Sequence, residues 1–153
     1  MFDARGQRAL IFRENGKDIM TDYTLRPIGH VESVLTDPAT APRQPDEGAP
    51  PAWLVIDDRY ARALDGLTAG MDILVLTWLD RADRETLTIR PRGDAARAIT
   101  GVFATRAPHR PNPIGLHSVH VLAVTGTRIH VRNLEAVHGT PILDLKPVLT
   151  QDR

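Results

Sequence analysis

Residues 116–131, LHSVHVLAVTGTRIHV, form the stretch that decides the fold. Apolar and polar residues alternate through its first half, which predicts a half-buried strand with Val119, Val121 and Ala123 on one face. Thr125-Gly126-Thr127 then turns the chain, and the alternation resumes after it. The stretch predicts a β-hairpin, so we expect a chain built around antiparallel strands.

Short strands are predicted on both sides of this hairpin: Thr24–Leu35, Ala52–Ile56, Met71–Leu79, Glu85–Arg90, Gly101–Ala104 and Ile142–Lys146. One helix is predicted from Asp57 or Asp58 to about Leu67. Many short strands and one clear helix indicate a mainly β fold, a small single-domain β-barrel with one or two short helices. We expect residues 1–22 to be an N-terminal extension and residues 23–153 to be the barrel domain.

Composition excludes several classes of function. The chain of 153 residues has no cysteine, which excludes disulfides, thiolate metal sites and cysteine nucleophiles and fits a cytoplasmic protein. No apolar run approaches the ~20 residues that span a bilayer, and the N-terminus has no signal-peptide pattern. The net charge is zero, so overall charge gives no argument for nucleic-acid binding. No histidine pair has a helical zinc spacing, so we expect no metal site. The short apolar runs lead us to expect no membrane association.

A stiff polar loop follows the predicted strand Gly101–Ala104. The stretch 101–116, GVFATRAPHRPNPIGL, places Arg106, His109, Arg110 and Asn112 among three prolines. Proline removes a backbone donor and restricts the residue before it, so the loop is partly fixed before the chain folds. Such rigidity suits the binding of a small polar ligand, because little entropy is lost on binding.

Two further segments are candidates for a site. Pro42-Arg43-Gln44-Pro45 holds a cation and an amide between prolines, although a solvated linker is the commoner explanation of such a segment taken alone. After the turn Gly139-Thr140-Pro141, Asp144 and Lys146 point to one side of a short strand, which an ordinary exposed ion pair also explains. His117, His120 and His130 alternate along predicted strands and are expected at the surface.

The proline loop, the PRQP segment and the segment GTPILDLKP occur in one order, and together they resemble the TrmO family, also called TsaA-like or YaeB-like proteins. The resemblance covers residues 24–148. It implies a small β-barrel and an S-adenosylmethionine-dependent methyltransferase that acts on N6 of the threonylcarbamoyl-modified adenosine beside the tRNA anticodon. It also implies a homodimer with the cofactor site near the subunit interface.

The same resemblance implies which residues bind S-adenosyl-L-methionine. They are Pro42, Arg43, Gln44, Asp80, Arg81, Arg106, Leu116, Leu134, Glu135, Ala136 and Val137. His109, Arg110 and Asn112 are expected to shape the pocket. The arginines from Arg81 to Arg97 are expected to meet tRNA phosphates, so that binding falls with added salt.

The chain departs from the family pattern at four positions. Asp80 stands where histidine is common, Glu135 and His138 where aspartate is common, and Val148 where tyrosine is common. The cofactor motifs are kept better than the rest, so cofactor use is the firmer expectation and the acceptor the weaker one.

Methyl transfer to an adenine amine requires a group that accepts its proton. Asp144, His109 and His138 are the candidates, and the sequence does not rank them. Two other functions stay open: a sensor or regulatory module that binds S-adenosylmethionine without catalysis, and a methyltransferase acting on another RNA or on a small molecule.

Overall fold

A computed structural model of the chain describes residues 10–14, 17–21, 24–42, 47–90, 93 and 95–149, the first two ranges by their backbone alone. The strands in this part of the chain are β1 (Leu10–Glu14), β2 (Lys17–Thr21), β3 (Gly29–Glu32), β4 (Ala52–Ile56), β5 (Asp72–Trp78), β6 (Thr88–Ile89), β7 (Thr100–Gly101), β8 (Ile114–Thr125), β9 (Arg128–Arg132) and β10 (Pro141–Pro147). Six of them close a barrel in the order β10–β3–β4–β9–β8–β5. All neighbouring pairs are antiparallel. The predicted mainly β, single-domain barrel is confirmed.

The alternation in the sequence produces the interior of the barrel. Every second residue of β4 and β5 is buried, as expected when successive side chains point to opposite faces of a strand. The largest inward side chains are 2% exposed or less and include Val31, Leu54, Ile73, Val75, Val119, Val121, Ile129, Val131, Leu134 and Ile142. Each such burial contributes about 1.5–3 kcal/mol.

The predicted face of β8 is interrupted near its end. Val119 and Val121 are buried as predicted, but the pairing with β9 shifts between Val121 and Ala123. A β-bulge of this kind bends the strand and raises its local twist, which helps a sheet to close. Ala123 is therefore only half-buried.

Antiparallel pairing gives the barrel two distinct ends. The end at which β3, β5 and β9 finish and β4, β8 and β10 begin carries the long connections, and we name it the loop end. The opposite end carries the tight turn at Gly126 and the 3₁₀ helix Asp58–Leu64, and we name it the turn end.

Several predicted elements have different bounds. The strand predicted over Thr24–Leu35 is shortened to β3, and that over Glu85–Arg90 is shortened to β6, which pairs only with β7. The prediction of a buried strand over Gly101–Ala104 was wrong, because residues Val102–Ala104 form a 3₁₀ helix in which Phe103 is 84% exposed. Val102 is buried there, so the apolar run correctly predicted one core residue but wrongly predicted the burial of its neighbour Phe103.

The helix prediction also needs correction. Asp58–Leu64 is 3₁₀ rather than α-helical, it ends before Leu67, and the Asp57 side chain makes no capping hydrogen bond. The Asp57 carboxylate instead accepts from Arg59, 3.1 Å away. Within the predicted extension, β1 and β2 form a separate two-stranded sheet. No helix in the described part of the chain is long and apolar enough to cross a membrane.

Candidate functional site

The loop end gathers the predicted site residues from four separate segments. The β3–β4, β5–β8 and β9–β10 connections start and end there because the barrel strands alternate in direction, and β6 and β7 lie within the β5–β8 connection. The predicted residues in these connections are Pro42, Asp80, Arg81, Arg106, His109, Leu134, Glu135, Ala136, Val137 and His138. The fold thus places together residues that lie up to about a hundred positions apart in the chain.

The proline loop is fastened to the turn that follows β5. The Leu79 amide donates to the Pro113 carbonyl at 2.8 Å, and Arg84 Nε donates to the Pro111 carbonyl at 2.9 Å. The Asp83 amide donates to His109 Nδ1, also at 2.9 Å. These bonds fix the HRPNP segment against the strand end without using the Arg106 side chain.

A second set of contacts ties the segment after β3 to the same region. Arg81 donates to the Thr36 carbonyl at 3.1 Å, and the His138 amide donates to the Leu35 carbonyl at 2.7 Å. The loop that leads to Pro42, which is half-buried, therefore lies against both the β5 turn and the β9–β10 connection. The predicted contacts Arg43 and Gln44 lie outside the described residues.

The two arginines of the proline loop have different surroundings. The Arg110 guanidinium donates to the carbonyls of Val102 and Thr105, the latter at 2.6 Å, so Arg110 shapes the loop from within. Arg106 is exposed and has no hydrogen-bond or ion-pair partner among the described residues. Of these two cations, Arg106 is the one available to a ligand.

The β9–β10 connection carries one carboxylate under the loop end. Leu134 and Ala136 face the core with 0% and 5% exposure, so their side chains close the barrel. Glu135 lies between them with 19% of its side chain exposed, and its Oε1 lies 2.8 Å from His117 Nδ1. Glu135 Oε2 is buried and has no partner among the described residues.

His117 was missed by the sequence prediction, which placed it at the surface. The residue is 5% exposed and its Nε2 lies 2.9 Å from the hydroxyl of the fully buried Thr77. The sequence did contain a signal for the burial of His117. Residues i and i+2 of a strand share a face, so His117 lies on the same face as Val119 and Val121, which were predicted to be buried. His120 and His130 are partly exposed, His130 being stacked on Trp53 with ring centroids 4.5 Å apart.

The outer face of the barrel carries a second group of predicted residues. Asp144, Leu76 and Leu116 lie in one row across β10, β5 and β8. Leu116 is 42% exposed, and Ile114 on the same face is 41% exposed. Asp144 pairs with Lys146 at 2.9 Å, so the predicted placement of these two on one side of the strand is confirmed.

The three candidate proton acceptors lie apart from one another. His109 is bonded to the β5 turn, His138 is positioned by its own backbone, and Asp144 is on the outer face. Within the described ranges no hydrogen bond or ion pair joins any two of them. Beside His109, hydrogen bonds from the Thr86 hydroxyl and the Glu85 amide lower the pKa of Asp83 below its ordinary value.

The turn end has a shallow depression of about 250 Å³ between the 3₁₀ helix and the start of β5, lined by residues such as Leu64, Leu67 and Met71. It contains no predicted site residue and faces away from the loop end. Among the residues that the structure describes, no group of three or more His, Asp or Glu side chains could hold a metal ion.

The sequence from 30 to 152 matches the family model of the tRNA-methyltransferase O N-terminal domain. The chain belongs to this family. The match covers all of the barrel strands except Gly29, so the family predicted from the sequence motifs is confirmed.

Relatives of the tRNA-methyltransferase O N-terminal domain family are similar over most of this chain. An S-adenosyl-L-methionine-binding protein of Archaeoglobus fulgidus is 41% identical over 122 residues, which are 80% of this chain and 86% of that protein. The predicted cofactor is thus the molecule in that protein's name. A crystal structure of TrmO from Pseudomonas aeruginosa has a TM-score of 0.69 and 28% identity over 88% of this chain. The chain spans only 62% of that structure's length.

Proposed function

We propose that this chain is an S-adenosylmethionine-dependent methyltransferase that modifies N6 of the threonylcarbamoyl-modified adenosine beside the tRNA anticodon, and that it works as a homodimer in the cytoplasm. Membership of the tRNA-methyltransferase O N-terminal domain family supports the reaction class. The observation that carries the proposal is the meeting of the separate predicted segments at the loop end.

The residues at the loop end suit the chemistry of S-adenosylmethionine. Glu135 offers a buried carboxylate oxygen that has no partner in the described part of the chain and would accept from a hydroxyl or amine. Arg106 offers a guanidinium that has no partner among the described residues and would pair with a carboxylate. The exposed Ile114 and Leu116 offer apolar surface for a flat ring. We therefore assign Glu135, Arg106 and Leu116 to the cofactor, with Pro42, Asp80, Arg81 and Val137 around them.

The cofactor would supply an electrophilic methyl group, and this chain would supply orientation and electrostatics. Transfer requires that the acceptor nitrogen be held in line at near-attack distance, which favours a rigid site. The hydrogen bonds from Leu79, Asp83 and Arg84 to the proline loop supply that rigidity. The side chains of His109 and Arg84 each take part in one of these bonds, and the Arg106 side chain takes part in none of them.

Asp144 is the candidate proton acceptor best suited by its surroundings. His109 Nδ1 already accepts from the Asp83 amide, so a neutral ring carries its proton on Nε2 and has no free acceptor nitrogen. The Asp144 carboxylate accepts from Lys146 and from the Leu145 amide, and it retains lone pairs beyond these two bonds. His138 is exposed and has no side-chain hydrogen bond in the described structure.

The proposed tRNA contact would use the exposed arginines near the loop end. Arg81, Arg84 and Arg90 are held by backbone carbonyls, and Arg84 also lies 5.4 Å from the centre of the Trp78 ring. A carbonyl does not neutralise a guanidinium, so these side chains keep their positive charge for phosphates. Binding that depends on them should weaken as salt rises.

The proposed homodimer would cover the outer face around Leu116. Ile114 and Leu116 are exposed there beside the half-buried Leu76 and Trp78. A contiguous apolar face of this kind marks an interaction surface. Light scattering coupled to size exclusion should give twice the mass of 16.9 kDa, and the variant Ile114→Lys should give a monomer.

A second function is favoured by one observation. The relative that this chain covers to 86% is named only for binding S-adenosyl-L-methionine, whereas the solved TrmO chain is covered to 62%. A sensor that binds the cofactor without transferring its methyl group is therefore the competing candidate.

Calorimetry with S-adenosylmethionine tests the cofactor, using Arg106→Ala and, as a matched control, Arg62→Ala at the turn end. We expect Arg106→Ala to weaken binding about tenfold or more, as the loss of a charge-assisted hydrogen bond does, and Arg62→Ala to leave it unchanged. Equal affinity of both variants and the native chain would remove Arg106 from the site.

The acceptor is tested with nucleosides from the tRNA of a deletion strain. We expect loss of the methylated form of threonylcarbamoyladenosine, and its return with the native gene but not with Asp144→Asn. An unchanged nucleoside profile together with measurable cofactor binding would favour the sensor.

A further inference from the structure

The interior of the barrel contains a chain of three polar side chains that ends at the loop end. Thr77 on β5 is 0% exposed and its hydroxyl lies 2.9 Å from His117 Nε2. His117 on β8 is 5% exposed, and its Nδ1 lies 2.8 Å from Glu135 Oε1. Buried polar groups are costly unless they are hydrogen-bonded, and each of these three side chains bonds to its neighbour in the set.

The direction of the hydrogen bonds follows from the carboxylate. An ionised carboxylate only accepts, so His117 Nδ1 donates to Glu135 Oε1. In the neutral ring Nε2 then accepts from the Thr77 hydroxyl, which satisfies both nitrogens. The carboxylate is thereby held by one oxygen, and within the described ranges Oε2 is the oxygen left without a partner.

Gly115 makes room for this chain of side chains. A Cβ at position 115 would lie 2.3 Å from Thr77 Oγ1 and 2.6 Å from His117 Nε2, both too short for any contact. The glycine of the motif NPIG therefore lets the hydroxyl and the imidazole meet beneath it. The need for glycine at position 115 therefore links the proline loop to Glu135 through the side chains of Thr77 and His117, which lie outside the motif NPIG.

We propose that His117 is a positioning residue for Glu135: backed by Thr77, it fixes the carboxylate so that Oε2 receives a hydrogen-bond donor of the bound nucleoside, a ribose hydroxyl or an amine. The inference rests on the proposed binding of S-adenosylmethionine. Glu135 is 19% exposed, so the carboxylate lies just beneath the surface at which the predicted cofactor segments meet. A ligand donor that reaches Oε2 makes a charge-assisted bond that the free chain lacks.

Two substitutions of His117 separate positioning from packing. Asparagine places an amide donor near the position of Nδ1 and can hold Glu135, whereas glutamine reaches toward Thr77 instead. We expect His117→Gln to weaken S-adenosylmethionine binding about ten- to hundredfold in calorimetry, the effect of losing a hydrogen bond to a charged group, and His117→Asn to stay within a few-fold of the native chain. Melting temperatures check that both unliganded variants are folded, and His117→Gln should melt below His117→Asn because it leaves the Glu135 carboxylate without its donor.

A double-mutant cycle provides the second readout. Because His117 acts through Glu135, His117→Gln combined with Glu135→Gln should bind no more weakly than Glu135→Gln alone. Thr77→Val, which keeps the volume and removes the hydroxyl, should weaken binding less than His117→Gln. If His117→Gln does not fold, the affinities of Glu135→Gln and Thr77→Val for S-adenosylmethionine are compared instead. We expect Glu135→Gln to bind more weakly than Thr77→Val, and equal affinities would overturn the positioning role.

The control is His120→Gln, on the same strand and outside the barrel, which should bind like the native chain. Native-like affinity of His117→Gln, or additive effects in the cycle, would overturn the positioning role while leaving the proposed function intact. If the native chain itself does not bind S-adenosylmethionine, the proposed function fails and the inference fails with it.

Discussion

His117 and His120 lie three residues apart on β8, and each places Nδ1 2.8 Å from a carboxylate oxygen. The two pairs differ in their surroundings. His117 and Glu135 are 5% and 19% exposed inside the loop end, whereas His120 and Asp72 are 28% and 63% exposed on the outer face near the turn end. We expect loss of the histidine–carboxylate contact to lower the free energy of unfolding strongly in the first pair and hardly at all in the second. The reason is that water competes for the contact only in the exposed second pair.

The largest effect is expected from His117→Leu. This change leaves the Glu135 carboxylate and the Thr77 hydroxyl without their shared partner, and should lower the free energy of unfolding by about 3 kcal/mol. Urea denaturation of the variant and the native chain measures the difference. A loss below about 0.5 kcal/mol would mean that water replaces the imidazole and that the inner pair resembles a surface pair.

Gly115→Ala tests the same pair without removing either partner. The added Cβ must push apart Thr77 and His117, and overpacking of this kind costs about 1–3 kcal/mol. Gly101→Ala is the matched control, because its Cβ would meet no atom within 4 Å and its φ of −63° suits any residue. Thermal unfolding should separate the two variants, and equal stability would show that the side chains rearrange freely.

The outer pair should respond weakly. His120→Leu removes an exposed histidine–carboxylate contact, and its effect on the free energy of unfolding should be within about 0.5 kcal/mol. Added salt sharpens the difference, because at about 1 M ionic strength the screening length falls to about 3 Å and exposed charges hardly interact. An effect of His117→Leu that vanished in salt would contradict its placement inside the barrel.

The Glu32–Arg128 pair extends the comparison to another surface pair, and its expected effect is the smallest. The hydrogen bond from Arg128, 2.5 Å away, lowers the pKa of Glu32 below its ordinary value of 4.5, with smaller help from His30 and His138. Because the pKa is lower in the folded chain, the stabilisation is complete above pH 4.5 and is lost as the pH falls through the folded value. Arg128→Met should return the pKa of Glu32 toward 4.5 in a carboxyl NMR titration.

Much of the fold was predictable because burial in a strand follows a period of two. Ala52–Ile56 was predicted with its observed bounds, and β5 and β8 were predicted within about two residues at each end. Prediction failed where apolar residues are not buried, as at Phe103, since a short apolar run has no periodicity that distinguishes a strand from a 3₁₀ turn.

The sequence by itself determined the alternating strands and the family motifs, because both are local patterns of residue type. Only the tertiary structure decided which residues meet. Glu135 and His117 are 18 positions apart and Thr77 is 40 positions from His117, and the pairing of β8 with β5 and with β9 brings the three within hydrogen-bond distance. Within the proline loop, the folded backbone brings the Val102 and Thr105 carbonyls to Arg110 and gives Arg106 no partner among the described residues, a difference that residue type does not predict because both are arginines.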